Sequence, residues 1–327
     1  MTKLFVTGAS GFVGGALVRA LASQHEIRAM SRSPASSQLI QSMGATPVRC
    51  ELGTVKPDDL AGCDTIIHCA AFVKQWGTRE QFWNANVRGT QQLLAAAKQA
   101  GARRFVHIGT EAVLFNDEPL RNIDETYPYP RSSPFLYSAS KALAEQSVLA
   151  ANDSTFTALS IRPRFIWGPG DQTILPSLAD MVRKKRFVWI DHGSASTSTT
   201  HIDNLVQAVT RALTHGAGGN AYFVTDPGMT TFKEFLTALL ATQGLTPPAG
   251  SMPRNVAMGI AKFLEASWRI LGIQSDPPVT RLAVSLMSRD CILKIDKARR
   301  ELGYEPKLTR EQGLAGLQAQ RSVHASS

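Results

Sequence analysis

The sequence has little of what marks membrane, metal-binding or secreted proteins. It contains no uncharged apolar run of about 18 residues, so no transmembrane helix is expected. Its four cysteines, at 50, 63, 69 and 291, form no Cys-x-x-Cys pair and have no His at ligand spacing, which favours buried thiols and no metal site. The start of the chain runs directly into strand-like residues and shows no signal peptide, which indicates the cytoplasm.

The composition is that of a folded, basic domain. Hydrophobic residues make up 43% and charged residues 19%, and the net charge is +9, which attracts anionic ligands. The densest basic run, Arg183–Arg186, has no interleaved aromatic residues and no nucleic-acid motif. It is interpreted as a solvated helix end, so no nucleic-acid partner is expected.

Short apolar segments alternate with longer helical patterns through the first two thirds of the chain. This alternation predicts an α/β fold with a doubly wound parallel sheet. The predicted strands are Leu4–Thr7, Ile27–Met30, Pro47–Cys50, Thr65–Cys69, Phe105–Ile108, Ala158–Arg162 and Ala221–Val224, and the predicted helices are Val13–Ser23, Gln81–Ala100, Tyr137–Ala151 and Asp203–Leu213.

After residue 227 the alternation of strands and helices gives way to mostly helical patterns. Proline-rich turns at residues 246–248 and 276–278 separate the helical patterns Phe232–Thr242 and Val256–Leu271. We therefore expect a Rossmann domain over 1–226, with part of a substrate lobe inserted near 168–200. A smaller, mostly helical substrate lobe is expected over 227–327.

The first predicted strand ends in a glycine-rich turn that opens a helix. Gly8 permits the tight turn, Gly11 allows a pyrophosphate to approach the backbone, and Gly14 allows the helix to pack closely. The helix N-terminus then presents free N–H groups to phosphate. The turn predicts a dinucleotide site, to which its remaining residues Ser10, Phe12 and Val13 are also assigned.

The end of the second strand lacks the acidic residue that usually binds the ribose 2′-hydroxyl of NAD. Ser31 and Arg32 stand there, and a guanidinium suits a 2′-phosphate. The hypothesis is a preference for NADP(H), with NAD(H) as the other option. The alternative for Arg32 is a solvent-facing side chain with no cofactor contact.

Two further strand ends fit the same cleft. Glu51 and Leu52 close the third strand, where a carboxylate would meet the adenine amino group. Cys69, Ala70 and Ala71 close the fourth, where small side chains let a cofactor pass over the sheet edge. Each segment taken alone also fits ordinary core packing.

Tyr137 and Lys141 are four residues apart at the start of a predicted helix, so they share one helix face. A nearby ammonium favours the phenolate form of tyrosine, which otherwise has a pKa of about 10. Such a tyrosine can exchange a proton with a substrate hydroxyl while hydride moves to or from a nicotinamide. Lys141 would also hold the nicotinamide ribose.

These motifs together resemble the extended short-chain dehydrogenase/reductase superfamily, and the resemblance covers nearly the whole chain. It implies that Thr110, after the fifth strand, is the hydroxyl partner of Tyr137, and it adds Asn86 and Arg164 to the cofactor site. Relatives commonly dimerise, so a homodimer through Gln81–Ala100 and Tyr137–Ala151 is expected by analogy. Other segments that carry the resemblance are 86–90, 162–171, 201–204 and 297–304.

The same resemblance separates the branches of the superfamily. Sugar-nucleotide enzymes usually carry an Asn and an Arg for the substrate diphosphate, and Phe165 and Thr197 stand at those positions here. The run 162–171 looks most like the 3β-hydroxysteroid dehydrogenase branch, which implies an apolar, sterol-like or keto-lipid substrate. Aromatic residues available to line its pocket, or alternatively to pack in the core, are Trp167, Phe187, Trp189, Phe263 and Trp268.

The segment Val256–Leu271 is amphipathic and carries basic residues. The favoured interpretation is a lobe helix packed on the sheet domain, and a helix lying on a membrane surface is the alternative.

Three functions remain in contention. The favoured one is an oxidoreductase that interconverts a secondary alcohol and a ketone. A nucleotide-sugar epimerase or dehydratase is the alternative enzyme. A protein that binds NADP(H) without catalysis is the third, and the presence of both Tyr137 and Lys141 argues against it.

Overall fold

The protein is built around one parallel β-sheet, in a computed structural model that describes residues 2–325 and the side chains of residues 2–321. The strands are β1 (Lys3–Thr7), β2 (Glu26–Ser31), β3 (Thr46–Arg49), β4 (Thr65–His68), β5 (Arg104–Ile108), β6 (Leu120–Ile123), β7 (Thr157–Pro163), β8 (Ile166–Trp167), β9 (Trp189–Ile190), β10 (Ser196–Thr197), β11 (Thr200–His201), β12 (Ala221–Val224), β13 (Thr230–Thr231), β14 (Ser251–Met252) and β15 (Cys291–Leu293). The helices are α1 (Phe12–Leu21), α2 (Pro34–Ser42), α3 (Arg79–Phe82), α4 (Gly89–Gln99), α5 (Leu136–Ala150), α6 (Ile174–Arg183), α7 (Ile202–Ala212), α8 (Phe232–Ala241), α9 (Arg254–Ile270), α10 (Arg281–Ser288), α11 (Asp296–Leu302) and α12 (Arg310–Ala325).

The seven predicted strands form this sheet, in the order β3-β2-β1-β4-β5-β7-β12, and every neighbouring pair is parallel. The strand order reverses between β1 and β4, which is where ligands bind in sheets of this type. The doubly wound fold predicted from the sequence is confirmed.

Alternate side chains of each strand pack into different helix layers. Leu4 and Val6 of β1 belong to the core cluster that includes the inward faces of α1 and α7. Phe5, between them, points to the opposite layer with residues of α4 and α5. A Leu, Val or Phe side chain buried in this way contributes about 1.5–3 kcal/mol, so the two layers fix the register of the sheet.

The second lobe combines segments from both sides of residue 226. Its core includes Trp167 and Phe187 from the first segment and Phe232 and Phe235 of α8. Short strands also pair across the two segments, β10 with β13 and β9 with β14. The domain boundaries remain a prediction, and these pairings support placing part of 168–200 in the lobe.

Helix α9 leaves much of its apolar stripe exposed. Its buried residues are Ala257, Ala261 and Glu265, and it lies against α10. The larger apolar side chains Phe263 and Ile270 are 71% and 85% exposed. The packing of α9 on the sheet domain stays a prediction: small residues form its contact with α10, and Arg269 lies over the ring of Trp76.

The predicted helix Gln81–Ala100 is interrupted. A π-helical turn over Trp83–Arg88 separates α3 from α4. The turn contains Asn86, which is 2% exposed. Its amide nitrogen donates to Phe72 O (3.1 Å) and Ser140 Oγ (3.0 Å), and its Oδ1 accepts from Phe72 N (2.7 Å). The bulge thus joins the loop after β4 to helix α5.

Among the helices of residues 2–325, none combines the length and apolar character that crossing a bilayer requires.

Candidate active site

The carboxyl edge of the sheet gathers the predicted site residues. Gly8 follows β1, Arg32 follows β2, Cys69 follows β4 and Thr110 follows β5 by one residue. Because carboxyl ends of parallel strands share one edge, residues distant in sequence meet there. Helix α5 packs against the short helical turn Glu111–Leu114, which begins at Thr110, and so brings Tyr137 and Lys141 to it.

The glycine turn is built for close backbone contact. Gly8 has φ +67°, and a Cβ on it would lie 2.9 Å from Ala70 N. A Cβ on Gly14 would lie only 2.2 Å from Gly8 O, so α1 starts directly on the turn. Both positions therefore require glycine for the fold itself.

Gly11 has a different role in the turn. It is the N-cap of α1 with φ −92°, a conformation open to any residue. No side chain caps α1, so the backbone N–H groups of its first turn, at Phe12, Val13 and Gly14, keep their capacity for an anion. This arrangement fits the pyrophosphate of a dinucleotide, and Ser10 beside it is exposed.

Two residues at the end of β2, assigned to the 2′-phosphate of the adenosine ribose, differ in exposure. Ser31 is 1% exposed, and its hydroxyl bonds Ser36 Oγ (2.7 Å) and Ser37 Oγ (2.8 Å). Arg32 is exposed, and its guanidinium has no hydrogen bond or ion pair with the residues that the structure describes. Arg32 is therefore available to a ligand, while Ser31 organises the turn into α2.

The ends of β3 and β4 border the same cleft. Glu51 is exposed beyond β3, and a Cβ on Gly89 would lie 2.6 Å from Leu52 Cγ, so Leu52 packs on α4. Cys69 and Ala70 donate their N–H groups to Thr7 Oγ1 at 3.1 and 3.0 Å. This clamp holds the strands on either side of the order reversal together. Ala71 follows, part-buried.

Tyr137 is part-buried and lines a cavity between the sheet edge and the C-terminal lobe. Burial raises the pKa of its phenol above the ordinary value, and the negative charge of Glu111 acts in the same direction. A side-chain hydrogen bond with Thr110 opposes these effects. In the free protein the tyrosine is therefore held as a neutral phenol, a proton donor.

Lys141 is almost fully buried beside Tyr137. Its Nζ donates to Ile108 O at 3.1 Å and lies 3.4 Å from His107 Nε2. Burial lowers the pKa of Lys141 to about 8, although the carboxylate of Glu145 acts to raise it. Burial and the Lys141 charge lower the pKa of His107 well below its usual range, so that ring is neutral.

Arg164 is occupied by protein groups. It is 4% exposed and forms an ion pair with Glu111 through Nη1. Its Nε donates to Thr197 Oγ1 at 2.9 Å and its Nη2 to Leu286 O at 3.3 Å. The geometry therefore gives both Arg164 and Asn86 partners within the protein, and their assignment to the cofactor site stays a prediction.

Sequence reasoning missed Glu111 and most of the cavity wall. Glu111 has no motif signal because its importance depends on Arg164, which is 53 residues away. For the aromatic residues, the sequence left both pocket lining and core packing open: Trp167, Phe187 and Trp189 pack in the lobe core, and Phe263 faces outward. The residues that surround Tyr137 are Gln75, Trp76, Gly77, Phe82, Pro134, Phe135, Leu136, Glu265, Arg269, Arg281 and Leu282.

At one edge of the parallel sheet, a glycine turn leads into a helix and a Tyr–Lys pair lies on another helix. These features define a class of protein, the NAD(P)-dependent oxidoreductases of the short-chain dehydrogenase/reductase type. The comparisons with known proteins agree with that class. The chain belongs to the 3-beta hydroxysteroid dehydrogenase/isomerase family, whose model matches residues 5–254.

Two relatives of this chain are named as reductases. The chain is 43% identical over 321 residues to the 4-hydroxy-2-methyl-3-oxo-4-farnesyl-3,4-dihydroquinoline-1-oxide ketoreductase of Stigmatella aurantiaca, with 96% of this chain and 95% of that one covered. It is 34% identical to the 2-alkyl-3-oxoalkanoate reductase of Stenotrophomonas maltophilia, with 97% and 98% covered. The UDP-glucuronic acid 4-epimerase of Bacillus cereus, solved with NAD, shares the fold at TM-score 0.75 and 19% identity, with 98% and 99% covered.

Proposed function

We propose that this protein is an NADP(H)-dependent reductase that interconverts a ketone and a secondary alcohol on an apolar substrate. One observation carries the proposal. Tyr137 and Lys141 share a face of α5. Tyr137 lines a cavity whose wall combines aromatic and aliphatic side chains with the charged side chains of Glu265, Arg269 and Arg281.

The residues divide the chemistry among themselves. A reduced dinucleotide held at the glycine turn would supply the hydride for a ketone carbon. Tyr137 Oη would give its proton to the carbonyl oxygen. Lys141, cationic below its pKa of about 8, stabilises the phenolate that remains. Thr110 positions the reacting oxygen against Tyr137. In the oxidative direction the proton returns to the phenolate.

The cavity wall supports an apolar ketone as substrate. Trp76, Phe82, Phe135 and Leu282 face the space beside Tyr137. Relatives in the family include reductases of a farnesylated quinoline oxide and of 2-alkyl-3-oxoalkanoates, both of which carry large apolar groups. Binding such a group in this cavity removes apolar surface from water and favours the complex.

The surroundings of Phe165 and Thr197 argue against the alternative, a nucleotide-sugar epimerase. Phe165 packs edge-on against Phe232 and Phe235. Thr197 accepts a hydrogen bond from Arg164, whose charge is already paired with Glu111. No free cation stands at these two positions, and a diphosphate buried without charged partners is costly.

Arg32 supports the preference for NADP(H), because its guanidinium is exposed and has no protein partner among the described residues. We expect Arg32→Ala to raise the KM for NADPH on the order of tenfold and to change the KM for NADH less than about twofold. Arg211→Ala, an exposed arginine near the end of α7, is the matched control. Tighter binding of NADH than NADPH by the unaltered enzyme would refute the preference.

A substrate panel tests the reaction class. Ketones of increasing apolar size, 3-oxoacyl compounds, 3-oxosteroids and UDP-sugars are offered with NADPH or NADH, and consumption of reduced cofactor is followed by absorbance. We expect turnover with an apolar ketone. Turnover of UDP-sugars without net consumption of cofactor, and of no ketone, would favour the epimerase.

The outward face of α9 supports a second proposal, that this helix docks on a lipid surface. Val256, Ile260 and Phe263 are exposed along one stripe that continues to Ile270, with Lys262 and Arg269 on a flank. We expect the protein to float with anionic liposomes and Phe263→Ser to float less. Leu39→Ser, an exposed apolar residue on α2, is the control. Absence of flotation by the unaltered protein would contradict docking.

A further inference from the structure

Glu111 is a buried carboxylate placed directly beside the predicted substrate-positioning hydroxyl. Its side chain is 6% exposed. Its Oε2 accepts from Thr110 Oγ1 at 2.9 Å, and its Oε1 accepts from Arg164 Nη1. A buried ion pair contributes little net stability, because desolvation of both groups offsets their attraction. The position of this pair beside Thr110 therefore points to a role in the site.

The hydrogen bond to Glu111 fixes the direction of the next one. A threonine hydroxyl has a single proton. Thr110 donates that proton to Glu111, and its oxygen accepts from Ala112 N at 3.2 Å. Helix α5 packs against the turn that follows Thr110 and brings Tyr137 to it. With its proton committed to Glu111, the Thr110 hydroxyl can only accept a hydrogen bond from a neighbouring phenol.

We propose that Glu111 is a positioning residue that holds the Thr110 hydroxyl proton and thereby keeps Tyr137 as the protonated phenol that a ketone substrate requires. A phenolate at Tyr137 would have to compete with the Glu111 carboxylate for the Thr110 proton. Glu111 therefore sets the pH range in which proton donation dominates, and it leaves the overall equilibrium between ketone and alcohol unchanged. This inference rests on the proposed reaction.

Of the charged groups around Tyr137, Glu111 is the one bonded directly to Thr110. Lys141 favours the phenolate, but its ammonium is bonded to Ile108 O. Glu265 is paired with Arg281 in the cavity wall. Further titratable or charged groups on the elements that surround the site are His68 at the end of β4, Cys69 after it, His107 on β5, Glu145 on α5, Arg162 on β7, Arg164 after β7 and Arg269 on α9.

Replacing Glu111 by glutamine would reverse the hydrogen bond. Arg164 offers only donors, so the amide oxygen must face Arg164 and the amide nitrogen must face Thr110. Thr110 would then accept from the amide and be free to donate its proton to Tyr137. A phenolate gains a hydrogen bond and loses a neighbouring negative charge, and both changes favour ionisation. Glu111→Asp keeps the charge.

Ultraviolet absorbance titration of the phenolate in the full chain loaded with NADP⁺ tests this proposal. Subtracting the titration of a Tyr137→Phe partner variant in each background isolates Tyr137. We expect Tyr137 in Glu111→Gln to ionise at least about one pH unit lower than in the unaltered enzyme. In Glu111→Asp it should change by less than half as much. Glu301→Gln, which removes a carboxylate from Tyr222 elsewhere in the fold, should leave the Tyr137 titration unchanged.

The proposal is overturned if Tyr137 ionises at the same pH in Glu111→Gln as in the unaltered enzyme. It is also overturned if Tyr137 ionises in neither protein below the pH at which alkaline unfolding begins. If Glu111→Gln does not fold, as judged by circular dichroism, Glu111→Gln/Arg164→Met removes both buried charges and should shift Tyr137 in the same direction.

The titration needs no turnover, so it tests the effect of Glu111 on Tyr137 independently of the proposed reaction. A shifted titration in an enzyme that reduces no ketone would leave the Glu111 coupling in place and refute the reaction. With a ketone that is reduced, Glu111→Gln should raise the ratio of kcat for alcohol oxidation to kcat for ketone reduction, both at saturating substrates and the same neutral pH, on the order of tenfold. The KM values compensate, because the equilibrium constant is fixed. A purely structural role would lower both rates together and leave that ratio unchanged.

Discussion

Two buried Glu–Arg pairs lie behind the Tyr–Lys pair, and they differ in what they contact. Glu145 of α5 is bonded to Arg162, Ser160 and Tyr129, and it raises the pKa of Lys141. Glu111 is bonded to Arg164 and Thr110 and raises the pKa of Tyr137.

The comparison teaches that similar buried pairs do different work according to their neighbours. The pair at Glu145 joins α5 to β7, because its carboxylate is fully enclosed by groups of the fold. The pair at Glu111 is bonded to Thr110, the residue predicted to position the substrate. We therefore expect loss of Glu145 to affect mainly stability and loss of Glu111 to affect mainly proton transfer.

Lys141→Met has the largest expected effect on activity. It also removes the group whose pKa Glu145 raises. A buried methionine fills similar space without the charge. We expect kcat/KM for ketone reduction to fall about 10²–10⁴-fold, since the phenolate left by proton transfer loses its cationic neighbour. Steady-state kinetics with NADPH measure the loss. Activity within about threefold of the unaltered enzyme would contradict the role of Lys141.

Glu145→Gln should be the most destabilising change of a carboxylate. Arg162 is only 3% exposed and would lose its charged partner, so we expect a loss of about 3 kcal/mol in the free energy of unfolding. Urea denaturation measures it. The control is Glu26→Gln, which breaks the exposed pair with Lys3 and should cost under about 1 kcal/mol. Equal effects of the two changes would end the comparison.

The pH dependence of reduction separates the two carboxylates. Lys141 is cationic below its pKa of about 8 and neutral above it, so activity should fall as pH rises through that value. Glu145 raises the pKa of Lys141, so Glu145→Gln should move this alkaline limb to lower pH. Initial rates across pH 6–10, a range chosen to bracket about 8, test this. A limb that moves upward, or stays in place, would contradict the account.

Thr110→Ser should have the smallest effect. Serine keeps the hydroxyl that donates to Glu111, and it loses only a methyl group. We expect kcat to change less than about threefold, as measured with the ketone found by the substrate panel. A loss of a hundredfold would mean that the methyl group, and not the hydroxyl, positions the substrate.

The parallel sheet was predictable because its signal is local. Apolar runs such as Ala221–Val224 end at turn residues, and each of the seven predicted strands agrees with the structure to within one residue at either end. The helix over 81–100 was predicted as continuous, and its π-helical interruption depends on contacts of Asn86 with Phe72 and Ser140. Those contacts are made in three dimensions and leave no periodic signature.

The candidate site was predictable to the extent that it consists of motifs at strand ends. Gly8, Gly14 and the Tyr137–Lys141 spacing have local physical reasons and could be read directly. Glu111 could not, because its importance depends on Arg164, which follows β7 and is 53 residues away. The cavity wall was missed for the same reason: Trp76 and Leu282 meet at Tyr137 only after the lobe has folded over the sheet edge.

The most direct test of the central claim compares Tyr137→Phe with the unaltered enzyme. NADPH affinity is measured by fluorescence titration, and ketone reduction is measured by NADPH absorbance. The account predicts affinity within about twofold and a rate reduced by at least about 10²-fold, because only the phenol proton is removed. Ketone reduction at an undiminished rate in Tyr137→Phe would contradict it.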